Sequence, residues 1–293
     1  MPTIVTPNGR ILGTGSNIPY VWNSVTSSPQ IIVSTSTATT WNSTDNSGHV
    51  FGAFGSQPAY VLPPNGTPNY LGLPNGLTSG TALGTNDSGQ AVGFASDASL
   101  HIPLIWDSSR AVSVLDGANA NARFITNAGA IFGETLDSNT SIGAAYWATS
   151  SSSMQTVPGT TNGYVAFVNA TTGLAGVNLK TSQGFVGNAV VVTTNPLAVH
   201  VLKGGAAKIS GISDSGVIVG NLYADPTKQF QGKPVVWKTM NSDPIELGKL
   251  IQTPSAWTVS GVVGIQPNGT VVMNAHELSS SSAQSYFYVT PLP

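Results

Sequence analysis

The chain has no cysteine and little charge: of 293 residues, 10 are Lys or Arg and 12 are Asp or Glu, 8% in all. Without cysteine, neither disulfides nor thiolate metal sites hold the fold, and the redox compartment stays open. A nearly neutral chain with no basic run lacks the electrostatic footprint of phosphate-backbone binding, so nucleic acid is not an expected partner. Apolar residues nowhere run for 18 positions, so no membrane-spanning helix is expected. The start, Met1-Pro-Thr-Ile-Val-Thr-Pro-Asn-Gly9, has no basic or apolar leader, and no secretory signal is expected there.

Catalytic and metal motifs are missing too. The histidines, His49, His101, His200 and His276, are far apart and form no His-x-x-x-His pair. No Asp-x-Asp-x-Asp-Gly calcium loop and no Gly-x-Ser-x-Gly nucleophile turn occurs. Gly13-Thr-Gly-Ser16 and Lys203-Gly-Gly205 read as turns rather than phosphate loops. Of three glutamates, Glu134 follows a strand-ending glycine, and a lone carboxylate there is expected to be solvated. No catalytic residue, metal or cofactor is expected.

What the sequence has instead is a repeat. Asp45-Asn-Ser-Gly48-His-Val-Phe-Gly52, Asn86-Asp-Ser-Gly89-Gln-Ala-Val-Gly93, Thr126-Asn-Ala-Gly129-Ala-Ile-Phe-Gly133 and Ser213-Asp-Ser-Gly216-Val-Ile-Val-Gly220 are close variants. Thr6-Pro-Asn-Gly9 opens an early copy, Ala170-Thr-Thr-Gly173-Leu-Ala-Gly176 is a shortened one, and Gln266-Pro-Asn-Gly269-Thr-Val-Val-Met273 loses its last glycine. The turn glycines stand 39, 41, 40, 44, 43 and 53 residues apart, within the range of propeller blades.

Each copy reads as four short strands. Two flank the turn, where glycine supplies a positive φ; Asp87 and Asp214, like Asn46 and Asn127, are expected to accept backbone N–H bonds within it. A third strand is aromatic-rich, as in Ile18–Trp22, Ile102–Trp106 and Pro234–Trp237, and a fourth is suggested by segments such as Val112–Leu115 and Pro244–Gly248. No helical period of useful length survives. The expectation is an all-β fold, a seven-bladed β-propeller of about 42-residue repeats, forming one domain over 1–293. The third-strand tryptophans would fill the space between blades, and the glycine four residues after each turn would sit where backbones crowd. After its third strand the last copy stops, so its sheet either lacks an outer strand or borrows one from the N-terminal region.

The pattern Asp-Ser-Gly-x-x-Val-Gly, then a Pro-containing strand ending in Trp, then Leu-Gly, resembles the HAF-type extracellular repeats of bacterial and phage-associated β-propellers. It covers nearly the whole chain, best around Gly89 and Gly216, although the His-Ala-Phe signature itself is absent. The resemblance implies the fold and no single activity.

Function must then come from positions that depart from the repeat. Trp41, Phe124 and Tyr164 lie near the entrance to the first strand of their copies and are candidate rim aromatics. The largest departures are Tyr223 to Gln231, Lys249 to Trp257, and Leu278 to Gln284. Lys228, Phe230, Lys249 and Trp257 combine charge, aromatic surface and length, and are expected to contact a partner. The expected function is non-enzymatic: a structural or attachment protein of the virion, in a phage tail or capsid decoration, binding other virion proteins or copies of itself. The alternatives are a propeller lectin for a host surface glycan, and an extracellular protein reaching that place without a signal.

Overall fold

The computed structural model describes residues 2–15, 18–34, 39–97, 100–138, 140–228, 232–250, 257–277 and 284–289. It is all-β apart from a 3-10 turn at Leu247–Lys249. β1 (Pro2–Val5), β2 (Ile11–Gly15), β3 (Ile18–Trp22) and β4 (Gln30–Ile31) form one antiparallel sheet in sequence order. The next sheets repeat it: β5 (Thr39–Thr44) to β8 (Asn69–Tyr70) through β6 (Val50–Phe54) and β7 (Gln57–Val61), then β9 (Ser79–Thr85), β10 (Ala91–Ser96), β11 (His101–Trp106) and β12 (Val112–Val114). A fourth holds β13 (Ala120–Ile125), β14 (Ile131–Asp137), β15 (Thr140–Trp147) and β16 (Gln155–Thr156).

A seven-stranded sheet follows: β17 (Tyr164–Val168), β18 (Ala175–Lys180), β19 (Val186–Thr194), β20 (Leu197–Ile212), β21 (Ile218–Leu222), β22 (Lys233–Trp237) and β23 (Ile245–Glu246). Its two halves share β20, whose early residues pair with β19 and whose late residues pair with β21. Between them Gly204 and Gly205 both take positive φ, which lets the strand swing from one half to the other. β24 (Trp257–Ile265), β25 (Val271–Glu277) and β26 (Gln284–Val289) make a three-stranded sheet. Among the described residues this last sheet has no fourth strand, and β1 pairs only with β2, so no strand is borrowed across the ends.

Apolar residues of each sheet meet those of the next. Leu12, Val21 and Ile32 pack on Val50 and Val61; Phe51 and Leu71 pack on Leu104 and Trp106; Val219, Val236 and Leu247 pack on Ile265, Val271 and Met273. Val272 of the last sheet returns to Val5 and Ile11 of the first, and the array closes on itself. Trp106, Trp147 and Trp237 are fully buried. Each indole N–H donates to a carbonyl beside the preceding outer strand: Gly72 at 2.7 Å, Asp116 at 2.8 Å and Lys203 at 2.9 Å. A large filler with one polar atom is thereby buried without an unmet donor. Trp22 holds the same place in the first sheet, but the sheet before it has no described fourth strand, and it is only half-buried.

The seven turn glycines, from Gly9 to Gly269, all have φ between 72° and 94°. In four of the turns the capping residue stands one place earlier than expected. Asp45 Oδ1 accepts from His49 N–H, Asn86 Oδ1 from Gln90 N–H, Thr126 Oγ1 from Ala130 N–H and Ser213 Oγ from Val217 N–H. In the fifth copy Asn169 stands at that place: its Oδ1 accepts from Thr171 and Thr172 N–H, and its own N–H donates to the carbonyl of Leu174, five along rather than four. The copy that reads as short in sequence therefore carries one extra residue before its glycine.

Asp87 and Asp214, one position on, link neighbouring turns instead of capping their own. Asp87 N–H donates to Asn127 Oδ1, and Asn127 Nδ2 donates back to Asp87 Oδ2 at 2.7 Å. Asn169 Nδ2 donates to Asp214 Oδ1 at 2.8 Å, and Asp214 N–H to the Pro267 carbonyl. Asn8 Nδ2 reaches the Thr44 carbonyl, Thr85 Oγ1 also donates to Thr44 O, and Asn127 N–H donates to Ala170 O. Gln266 Nε2 completes the circuit on the Gly9 carbonyl at 2.6 Å.

The second glycine of the repeat has a different cause. Each first strand carries a bulge, between Trp41 and Ser43, Ala82 and Gly84, Ala122 and Phe124, and Ile209 and Gly211. A Cβ on Gly52, Gly93, Gly133 or Gly220 would lie 1.8–2.0 Å from a carbonyl oxygen of that bulged strand. Only glycine lets the bulge close.

Candidate functional site

Because strand direction alternates, the glycine turns joining first and second strands lie at one end of the fold. Connections between second and third strands, and from each fourth strand to the next first strand, lie at the other. All three departures from the repeat are of these latter kinds: 223–231 joins β21 to β22, 249–257 joins the 3-10 turn to β24, and Glu277 and Gln284 flank 278–283. One end thus holds the turn ring, and the described strand ends from which the three departures leave lie at the other, the variable end.

At the variable end Tyr164 and Lys180 stand on the face of the first half that meets the second, and Lys208, Asn221 and Tyr223 on the face of the second half turned towards the last sheet. Lys180 Nζ stands 5.7 Å from the centre of the Tyr164 ring, and Lys208 Nζ stands 5.7 Å from that of Tyr223. Asn178 clamps the halves: its Oδ1 accepts from Ile209 N–H at 2.7 Å, its Nδ2 donates to Ile209 O at 3.1 Å, and it also reaches Tyr164 Oη at 3.4 Å. Val186 N–H donates to Pro226 O, which ties the Tyr223 loop down against β19. Asn221, paired across the ladder with Lys208, has a buried Oδ1 without a hydrogen-bond partner among the described residues.

Burial pushes the Lys208 ammonium below the usual lysine range, and the nearby Lys180 charge pushes it further the same way. Burial raises the Tyr223 phenol, helped by the proximity of Tyr164. Among the described residues no carboxylate forms an ion pair with Lys180. The Tyr164–Lys180 and Tyr223–Lys208 pairs offer positive charge, phenol hydroxyls and ring faces on two sides of the second half, and the unmet acceptor of Asn221 lies on the Lys208 side.

The residues singled out in the sequence fare differently. Lys228 is exposed on the Tyr223 loop and pairs with Asp225 at 3.7 Å; Lys249 is exposed in the 3-10 turn and pairs with Glu246 at 3.7 Å. Phe230 lies outside the described residues, and Trp257 begins β24 with a side chain that is also outside them. Two of the rim aromatics are corrected. Phe124 is 9% exposed and packs among Phe132, Tyr146 and Val165, while Trp41 lies against the Leu12 and Val50 cluster with its indole N–H buried. The cause is the bulge: Trp41, Phe124 and Tyr164 pair with Gly52, Phe132 and Asn178, which are three different register positions. Tyr164 alone of these three lies beside a lysine at the variable end. Glu134 is also corrected, since it is buried and accepts from Arg123 Nη1 at 2.6 Å.

Sequence reading missed Lys180, Lys208 and Asn221. The available signal was a lysine inside a strand whose other residues are small or apolar, as in Ala207-Lys-Ile-Ser-Gly-Ile212. A cavity of about 520 Å³ beside Asp116, Gly117 and Ser150 to Ser152 brings together no cation and no aromatic ring. Among the described residues no group of three His, Asp or Glu is placed to hold a metal ion, and no helix is long and apolar enough to cross a membrane.

No protein-family model matches the chain, and no curated protein matches its sequence. Solved structures do resemble it. An oligogalacturonate lyase in complex with manganese has a TM-score of 0.60 at 9% identity, over 100% of this chain and 88% of that one. The β-propeller domain of the Trilobed protease from Pyrococcus furiosus, described as having an open velcro topology, has a TM-score of 0.53 at 10% identity, over 96% and 88%. TolB from Acinetobacter baumannii has a TM-score of 0.51 at 14% identity, over 78% of this chain; the match spans 58% of the TolB chain. At such identities the likeness is one of fold: this chain is built as a β-propeller.

Proposed function

We propose that the seven-stranded sheet is two blades joined through β20, so that the chain is one seven-bladed domain over 1–293 with a repeat of about 42 residues. Its role is non-enzymatic attachment, and its partners are other virion proteins or further copies of the chain. The observation that carries this reading is the gathering of every large departure at one end of the fold, with Lys228 and Lys249 exposed there. Loops on one face of a rigid repeat scaffold are where partners bind without disturbing the blades. The virion setting, in a phage tail or capsid decoration, rests on the resemblance to HAF-type repeats and on the low-charge, Ser/Thr/Asn-rich composition.

Replacing 225–231 by a tight turn tests it, with particle incorporation and partner pull-down as readouts. Loss of both from a stably folded variant is the expected result; undiminished assembly would end the proposal. A glycan-binding role is the second reading, favoured by the Tyr164–Lys180 and Tyr223–Lys208 pairs at the same end.

A further inference from the structure

Five asparagines stand directly before a glycine: Asn8, Asn65, Asn75, Asn162 and Asn268. Such a pair can react with itself. The glycine nitrogen attacks the carbon of the asparagine side-chain amide, and a following residue without a Cβ leaves that approach unshielded. Four of the five pairs are held in ways that oppose the attack. Asn8 donates from Nδ2 to the Thr44 carbonyl at 2.8 Å and accepts the Thr6 and Thr44 hydroxyls at 2.7 Å, while Gly9 N–H donates to Thr6 O. Asn268 Oδ1 accepts from Thr270 N–H, and Gly269 N–H donates to Gln266 O. Gly163 N–H donates to Thr160 O, and the Asn162 backbone is bonded on both sides, to Ile142 O and from Lys180 N–H. Gly66 is pressed against the Leu62 carbonyl, 2.3 Å from where a Cβ would stand, and Asn65 N–H is tied to Ile31 O.

The Asn75-Gly76 pair is different. Both residues are exposed in the connection from β8 to β9, at the variable end. One bond closes the turn there, from Leu77 N–H to Pro74 O, and beyond its chain neighbours no atom lies within 4 Å of a Cβ built on Gly76. Among the described residues no hydrogen bond holds the Asn75 side chain or the Gly76 N–H.

We infer that Asn75 is a site of self-modification, where the folded chain deamidates. The Gly76 nitrogen forms a bond to Asn75 Cγ, the bond from Cγ to Nδ2 breaks, and the Gly76 proton leaves with that nitrogen as ammonia. A five-membered imide remains. Water then opens the ring at either carbonyl, giving aspartate or the isomer whose backbone runs through the side chain. Either product replaces a neutral amide by a carboxylate in a chain with a net charge of −2.

Incubation of the whole folded chain in mildly alkaline buffer, followed by peptide mapping and isoaspartate methyl labelling, tests the inference. Asn75 is expected to convert about tenfold or more faster than Asn8, Asn162 or Asn268, where existing hydrogen bonds must break first. Asn65 should lag as well. In denaturant the five rates should converge. Asn75→Gln, at an exposed position, should remove most of the label with an unchanged thermal midpoint.

Equal folded-state rates at the five pairs, or a faster rate at any other pair than at Asn75, would overturn the inference. So would a folded chain that stays unconverted while the denatured chain reacts, or label that survives Asn75→Gln.

Discussion

Arg110 reaches out of the third sheet to the buried carboxylate of Asp45 in the second, with Nη2 3.6 Å from Oδ2. Its guanidinium also lies 4.8 Å from the Phe51 ring centre and 4.9 Å from that of Tyr60, and it donates to the Gly89 carbonyl. One side chain thus joins the cap of one turn to the glycine of the next. Arg110→Ala is expected to cost about 2–3 kcal/mol, somewhat less than orphaning a buried charge outright, because His49 N–H still bonds Asp45. Denaturant unfolding checks this, and a double-mutant cycle with Asp45→Asn should show coupling.

The tryptophans should separate into two classes. Trp106→Ala and Trp237→Ala each remove a fully buried indole and are expected to cost about 3–5 kcal/mol. Trp22→Ala, at the half-buried equivalent place, should cost about 1–2 kcal/mol. Equal shifts in denaturant midpoint for all three would contradict the assignment of Trp22 to an incompletely covered site.

Two kinds of glycine can be told apart by adding one methyl group. At Gly129, φ is 88° but no atom lies within 4 Å of the added Cβ, so Gly129→Ala should cost about 1 kcal/mol from backbone strain alone. At Gly133, the Asn121 carbonyl oxygen stands 1.8 Å from that position, and Gly133→Ala should cost about 3 kcal/mol as the bulge is forced open. Thermal melts of the two variants give the comparison.

Titration of Lys208 should be visible in stability at alkaline pH. Its folded pKa lies below the unfolded value, so between the two the unfolded chain binds more protons. Stability contributed at this position should therefore rise as pH climbs through the folded pKa towards the ordinary lysine range. Lys208→Met should remove that rise, measured as the difference in denaturant midpoint between neutral and alkaline buffer.

Much of the architecture was legible because turns and third strands are constrained by local rules. A positive φ admits glycine, and a wide gap between sheets admits tryptophan; both leave marks at fixed spacing, as at Gly89 and Trp106. The site was less legible for an equally physical reason. The bulge adds a residue to the ladder without marking it in the sequence, so counting back from the turn put Trp41, Phe124 and Tyr164 in one class when they face different neighbours. Lys180 and Lys208 lie 28 positions apart, on two half-sheets that the Asn178 bonds to Ile209 hold together.

The Gln266 bond to Gly9 spans 257 positions, whereas among the described residues every paired strand is a neighbour in sequence. Each sheet can therefore form from a short stretch of chain at small loop-closure entropy, and only the meeting of first and last sheets must wait for the whole. The seam is held by that side-chain bond and a small cluster of Val5, Ile11 and Val272, with no shared ladder among the described residues. In folding it is the natural last step, and in hydrogen exchange the first region to open.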